Sequence, residues 1–404
     1  MEKMLLESNK TWKIRIFIFA WIGYALFYLC RANFSLAIPQ IIEEFGFTKT
    51  ELGAVGSALF AMYAIGQFVN GQLGDLLGAR RLVTIGIIFS ALANLAFGFA
   101  GGLVTMMIVW GINGYFQSMG WSPNVKLIGN WFVKDRGKVM GFFGSCYQVG
   151  NAGSWLLAGY LASNHGWRYV FWVPSVIFGL SSIMYYVAIR DNPDNPTEKV
   201  KSIGLKATLK GTIISKEIWL IALAFFFVDI VRYGFFVWAP TFLFEVQNAT
   251  ISSASLKVAI IPIAGSLGAI MSGWISQQYL KNRRAIVASI LLACLGIFSW
   301  LYLIIPINMW ELGLFTLVLI GFCTYGSHVT MVATMPVDFS IKGGSASAAG
   351  FIDGFGYLGA TIVSIVSGIL IDNFGWDYAF GFWILSAFIA SVLLLPLWRR
   401  KPIK

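Results

Sequence analysis

The hydrophobic positions of this chain form long runs that short polar stretches interrupt at intervals. The hydrocarbon core of a bilayer is about 30 Å thick, so a helix needs about 20 mainly apolar residues to cross it. Twelve runs are long enough. They predict spans at 14–42, 51–74, 82–100, 103–130, 138–163, 168–189, 217–246, 251–279, 285–305, 309–338, 344–371 and 377–398.

The spans fall into two similar groups of six. A polar, basic, proline-containing stretch at 190–216 predicts a linker between an N-terminal half, 1–189, and a C-terminal half, 217–404. Small and aromatic residues of spans five and six recur 209 positions later: Gly141, Gly159, Gly166-Trp167 and Phe171 correspond to Gly350, Gly368, Gly375-Trp376 and Phe380. Two parallel six-helix halves, related by an axis along the membrane normal, describe the major facilitator architecture. The pattern therefore predicts an all-α membrane protein with that fold.

Composition supports a membrane protein and narrows its class. The chain is 58% hydrophobic and 12% charged, whereas soluble domains are about 45–50% apolar and about 25% charged. The four cysteines lie in apolar segments without paired spacing, which predicts no metal site. No Walker loop or nucleophile elbow appears, so the sequence favours neither an ATP-driven pump nor an enzyme, and it predicts no cofactor.

The net charge of +11 is arranged as a topology signal. Most Lys and Arg residues lie in the termini and in alternate loops, while the opposite loops hold only Lys49, Arg168 and Lys257. This positive-inside pattern predicts a multi-pass protein of the inner or plasma membrane with both termini in the cytoplasm. The expected partner is therefore the lipid bilayer. Nucleic acid is not expected, because the membrane topology already explains where the positive charges lie.

One arginine lies inside the first apolar run. A charge at the centre of a membrane helix costs roughly 2.5 to 3.5 kcal/mol on insertion scales, so Arg31 is expected to face a polar cavity. Helical spacing places Tyr24, Tyr28 and Ser35 on its face. The eight-residue step from Arg31 to Pro39 recurs from Arg232 to Pro240, which predicts one site shared by two halves.

Two sets of motifs carry a family resemblance. Gly71, Asp75, Gly78, Arg80 and Arg81 form a GxxxD…GxRR pattern that resembles the major facilitator loop motif, which implies a gating role for Asp75, Arg80 and Arg81. The segments at 28–34 (YLCRANF), 116–123 (FQSMGWSP), 232–241 (RYG with WAPT) and 354–359 (GFGYLG) resemble the organophosphate:phosphate antiporter family over nearly the whole chain.

That resemblance implies a phosphate clamp. Arg31 and Arg232 match the two arginines that hold the phosphate, and a guanidinium offers a permanently charged planar fork that suits it. Other matches imply cavity-lining roles for Tyr24, Tyr28, Tyr63, Gln117, Tyr325 and Tyr357. The alternative is that each arginine is structural and paired with a carboxylate, Asp229 in particular.

Three positions depart from the glycerol-3-phosphate exchangers of the family. Gln67 stands where they have a lysine, Gln148 where they have a histidine, and Asp229 where they have a tyrosine. Two further candidates for coupling or gating are Asp353, which is expected to be paired, protonated or part of a proton path, and His328, which either titrates or is a hydrogen-bonded packing residue.

The sequence thus predicts a monomeric secondary transporter that exchanges a phosphorylated organic anion for inorganic phosphate by alternating access. Two alternatives remain open at this point. One is a membrane sensor of sugar phosphate in a signalling system, and the other is a proton-coupled symporter of an organic carboxylate.

Overall fold

The computed structural model is helical throughout its regular secondary structure. It describes residues 2–132, 136–190, 211–280, 283–339 and 345–400, and within these it does not describe the side chains of 2–10, 68, 71, 72, 75, 76, 136–138, 337 and 345–347. Spans one to six are Glu2–Phe27 with Phe34–Phe45, Lys49–Leu77, Ala79–Phe97, Leu103–Gln117 with Trp121–Trp131, Arg136–Phe143 with Ser145–His165, and Tyr169–Ala188. Spans seven to twelve are Lys216–Glu245, Ile251–Gln278, Arg284–Ile304, Trp310–Val329, Ser345–Phe374 and Trp376–Leu394.

The twelve-span prediction is confirmed. Among the described residues, nine helical segments are long and apolar enough to cross a membrane. The other three are spans two, four and five. Spans four and five are each divided into two helices, and several side chains of span two lie outside the described part of the chain. Most of the predicted linker, 191–210, lies outside the described residues.

Span one is broken where the sequence predicts a continuous helical stripe. Tyr28–Cys30 forms a 3-10 turn, and the α-helix resumes only at Phe34. The break leaves the carbonyl groups of Phe27 and Cys30 without their helical donors. Side-chain amides of span four replace those donors: Asn113 Nδ2 donates to Cys30 O at 2.7 Å and Gln117 Nε2 donates to Phe27 O at 3.1 Å. Irregular backbone is tolerated at membrane depth when its polar groups are satisfied in this way.

The two halves repeat their close helix contacts. A Cβ atom added at Gly114 of span four would overlap the backbone of Leu59 in span two. A Cβ atom at Gly321 of span ten would overlap the backbone of Ile261 in span eight in the same manner. Small residues let membrane helices approach this closely.

The halves meet along spans two with eleven and spans five with eight. Many of these contacts lie towards the end of the bundle that carries Phe45–Lys49, Glu245–Ile251 and Phe374–Trp376, here called the latch end. There Asp372 of span eleven accepts hydrogen bonds from the backbone N–H of Lys49 at 3.2 Å and of Thr50 at 2.7 Å, and Lys49 Nζ lies 3.1 Å from Glu245 Oε1. Deeper in the bundle, Ser57 Oγ donates to Thr361 O at 2.5 Å. The described structure is therefore closed at the latch end.

Candidate substrate-binding site

Arg31 lies in the break of span one and is 3% exposed. Its Nε donates to Gln117 Oε1 at 3.0 Å. The guanidinium carbon lies 4.8 Å from the ring centre of Tyr28 and 4.7 Å from that of Tyr63, within the range of cation–π attraction. Nη2 is buried and has no hydrogen-bond partner among the described residues. Because a buried charged donor without a partner is costly, this nitrogen marks a place where an anion would be favoured.

Gln117 is itself held by a chain of polar side chains inside the N-terminal half. Its Nε2 donates to Ser90 Oγ at 2.8 Å, and Ser90 Oγ donates to Asn113 Oδ1 at 2.6 Å. All three residues are fully buried. The chain fixes which face of the Gln117 amide meets Arg31, so the carbonyl oxygen is the acceptor.

Arg232 has a different environment, in an unbroken part of span seven. Its Nη1 lies 2.9 Å from His328 Nε2 and 3.4 Å from Asp229 Oδ1. A guanidinium can only donate, so this contact requires His328 Nε2 to be the accepting, unprotonated nitrogen. The ring of Tyr233 lies 4.7 Å from the guanidinium carbon and the ring of Tyr325 lies 5.4 Å from it. In this structure His328 is therefore a hydrogen-bonded partner of Arg232.

Two rows of tyrosine rings connect the surroundings of the two arginines. In one row, Tyr63 stacks on Tyr357 at 4.3 Å between ring centres, and Tyr357 lies 6.1 Å from Tyr233. In the other row, Tyr147 lies 6.5 Å from Tyr28 and 6.1 Å from Tyr325. Each row begins on a ring that contacts Arg31 and ends on a ring that contacts Arg232. The site is thus framed by two cations and by six phenol rings.

The space beside Arg232 is small in this conformation. The cavity measures about 10 Å³, which is room for about one water molecule. It is lined by Trp155, Arg232, Phe235, Phe236, Ile261, Thr324 and Tyr325. An organic phosphate needs more room than this cavity offers.

Several residues that the sequence assigned to the site have other contacts. Tyr24 packs in an aromatic cluster, 5.0 Å from the ring of Trp121. Gln67 accepts a hydrogen bond from Ser122 at 3.0 Å, and Gln148 accepts one from Ser266 of the other half at 2.8 Å.

The candidates for coupling or gating are dispersed. Asp353 is half-buried on span eleven, four residues before Tyr357, and makes no hydrogen bond or ion pair with another described residue. Arg80 Nε donates to Tyr186 O at 2.6 Å within its own half, and Arg81 is exposed. The side chain of Asp75 lies outside the described part of the chain.

Sequence reasoning missed four residues of this arrangement. Tyr147 and Tyr233 complete the two rows, while Ser90 and Asn113 support Gln117. Asn113 and Ser90 carry a usable signal, because polar side chains within apolar spans need partners. No sequence signal distinguishes Tyr147 and Tyr233 from the other aromatic residues, which make up 16% of the chain.

Comparisons with known proteins agree with the fold. The sequence model of the Major Facilitator Superfamily matches residues 20–358 and 283–404. A bacterial homologue of the human lysosomal transporter Spinster, in an inward-facing and unoccupied conformation, superposes with a TM-score of 0.75 at 14% identity and covers 96% of this chain and 95% of its own.

Sequence relatives of similar length identify the family within this superfamily. A probable hexose phosphate transport protein of Chlamydia pneumoniae is 30% identical over 98% of this chain and 93% of its own. A glycerol-3-phosphate transporter of Bacillus subtilis is 31% identical over 97% and 93%, and a membrane sensor protein of Salmonella typhimurium is 26% identical over 96% and 92%. The chain belongs to the major facilitator superfamily and, within it, to the organophosphate:phosphate antiporter family.

Proposed function

We propose that this protein is a secondary transporter that carries a phosphorylated organic anion across the membrane and exchanges it for inorganic phosphate. The transport proteins among its relatives are named for hexose phosphate and glycerol 3-phosphate, which supports a substrate of this class. Arg31 and Arg232 bind the phosphate from opposite halves, and the tyrosines and Gln117 surround it. Because both arginines belong to one chain, a monomer is sufficient.

The observation that carries this proposal is the buried, unpartnered Nη2 of Arg31. A purely structural arginine would be expected to use its donors within the protein, as Arg168 does in its bidentate contact with Glu44. Arg31 instead has a neutral partner at Nε and aromatic rings around it. A phosphate oxygen is the kind of acceptor that its free nitrogen fits.

We propose that transport occurs by alternating access with both termini in the cytoplasm. In that orientation the latch end faces outwards, and the described contacts of Asp372 and Glu245 close the outer pathway. Outward opening separates span two from span eleven and span five from span eight, while the arginines stay near the midplane.

The test is counterflow with purified protein in proteoliposomes. Vesicles are loaded with inorganic phosphate, and uptake of radiolabelled glycerol 3-phosphate or glucose 6-phosphate is measured against vesicles without protein. Uptake that excess external phosphate inhibits supports the proposal. Absence of uptake of both organophosphates, from protein that is folded and reconstituted, would contradict it.

A sensor function is the second candidate, because one relative is named a membrane sensor protein. A sensor would bind the sugar phosphate without carrying it. Thermal shift by the ligand together with no flux in the same preparation would favour the sensor.

A further inference from the structure

The two arginines of the site differ in how the protein balances their charge. Arg232 has a carboxylate of its own helix beside it, since Asp229 Oδ1 lies 3.4 Å from Nη1. Asp229 is 1% exposed. A Cβ atom added at Gly356 would overlap Asp229 Oδ2, so the backbone of span eleven closes over the carboxylate. Asp229 is thereby held next to Arg232.

Arg31 has no such counter-ion among the described residues within ion-pair distance. It is stabilised by an amide oxygen and by the faces of Tyr28 and Tyr63. Arg31, Arg232 and Asp229 together carry one net positive charge, and Asp353 of span eleven interacts with all three electrostatically without forming an ion pair among the described residues. His328 adds no charge, because its Nε2 accepts from Arg232.

Charge balance decides whether a carrier can reorient without substrate. Reorientation closes the central site, and burying two uncompensated guanidinium groups is strongly unfavourable. A bound phosphate removes that penalty, so a carrier with two bare arginines is restricted to exchange. A carboxylate of the protein that pairs with one arginine lowers the cost of burying that guanidinium group, so it also favours reorientation of the unloaded carrier.

We propose that Asp229 is this internal counter-ion: it stays paired with Arg232 after phosphate leaves and allows the unloaded carrier to return. The inference rests on the proposed function, and it adds a transport mode to it. The protein then catalyses net uptake of substrate as well as exchange. His328 assists as a positioning residue, because its contact with Nη1 keeps that nitrogen near Asp229 while Nη2 and Nε are left for the substrate.

The experiment compares two fluxes in one preparation. Uptake of radiolabelled inorganic phosphate is measured into vesicles loaded with phosphate, which reports exchange, and into vesicles loaded with gluconate, which reports net uptake. Potassium and valinomycin hold the membrane potential at zero, so that net charge movement does not limit the second flux. In the wild-type protein we expect net uptake to be within about tenfold of exchange.

The variant Asp229→Asn keeps the shape of the side chain and removes its charge. We expect its net uptake to fall by at least about tenfold relative to its own exchange flux, because Arg232 then loses the carboxylate that lies within ion-pair distance of it. Asp229→Glu restores the carboxylate and should restore the ratio. The matched control is Asp338→Asn, which removes the carboxylate of another Asp–Arg pair in the same half, 2.9 Å from Arg284, and should leave the ratio unchanged.

The outcomes separate the two proposals. If wild-type protein exchanges phosphate but shows no net uptake, or if Asp229→Asn keeps the wild-type ratio, the internal counter-ion is wrong and the transporter stands. If neither flux exceeds that of vesicles without protein, the proposed function fails and this inference fails with it. If Asp229→Asn does not fold, as judged by size-exclusion chromatography, the wild-type ratio and that of Asp229→Glu still decide.

Discussion

Glu245 of the C-terminal half forms an ion pair with Lys49 of the N-terminal half, with Nζ and Oε1 3.1 Å apart. The equivalent residue of the other half, Glu44, stays within its own half, where Arg168 binds both of its oxygens at 2.6 Å. In each half the glutamate also accepts from the tryptophan of the repeated Gly-Trp pair. The two halves differ in the residue that follows this tryptophan. The C-terminal half has Asp377 where the N-terminal half has Arg168. Glu245 therefore remains available to the opposite half.

The first prediction tests this asymmetry. Asp377→Arg gives Glu245 a partner in its own half, so the contact with Lys49 is weakened and the latch end opens more often. Partly exposed ion pairs contribute about 1 kcal/mol or less, so the closed population should fall by about fivefold at most. Distances between spin labels on latch-end loops of the two halves, measured by pulsed electron resonance, report the shift. Tyr378→Arg places the same charge one residue further along and should leave the distance distribution unchanged.

A second prediction concerns the contact of spans five and eight. A Cβ atom at Gly159 would overlap the side chain of Ser255 across the two halves. Gly159→Val should keep the protein folded but prevent closure at the latch end, because the added side chain separates the spans. Spin-label distances should lengthen and exchange should fall by more than about tenfold, the factor that a closure penalty of about 1.4 kcal/mol produces. Gly153→Val is the matched control, since nothing lies within 4 Å of a Cβ there; equal losses in both variants would contradict the prediction.

The third prediction concerns the support of Arg31. Gln117→Leu removes the acceptor at Arg31 Nε and should lower phosphate affinity by about tenfold to a hundredfold, since hydrogen bonds to charged groups contribute roughly 1.5–3 kcal/mol. Ser90→Ala removes only the next link of the chain, so its loss should be smaller. Isothermal titration with inorganic phosphate measures both. A larger loss in Ser90→Ala than in Gln117→Leu would show that the chain does not act through Arg31.

The sequence was sufficient for the fold. Twelve apolar runs and an internal repeat specify the architecture, because the bilayer fixes the length of each span. The repeated Gly-Trp pair shows the precision of the repeat, since Gly166 and Gly375 have φ angles of 92° and 93°. These left-handed values favour glycine.

The sequence was not sufficient for the break in span one or for the partners of the polar residues. The break depends on Asn113 and Gln117 of span four, so it is a tertiary effect that periodicity within span one does not reveal. Gln67 and Gln148 lie at family-matched positions, yet the hydroxyl groups of Ser122 and Ser266 hold them. Local spacing did predict that Asp229 lies next to Arg232, because residues three apart are neighbours on a helix.

The last prediction tests the clamp itself with Arg31→Lys and Arg232→Lys. Each keeps a positive charge and the approximate length of the side chain, but an ammonium is a point charge without the planar fork of a guanidinium. A lysine in the first position would have to give up either the contact with Gln117 or the donor that faces the substrate, whereas Arg31 supplies Nε to one and Nη2 to the other. A lysine in place of Arg232 has a single side-chain nitrogen. That nitrogen would have to contact His328, Asp229 and the phosphate at the same time. We therefore expect each variant to elute as folded protein and to bind inorganic phosphate at least about a hundredfold more weakly, the loss that corresponds to about 2.7 kcal/mol. Titration calorimetry with phosphate and with glycerol 3-phosphate gives the affinities, and wild-type affinity in either lysine variant would remove that arginine from the clamp.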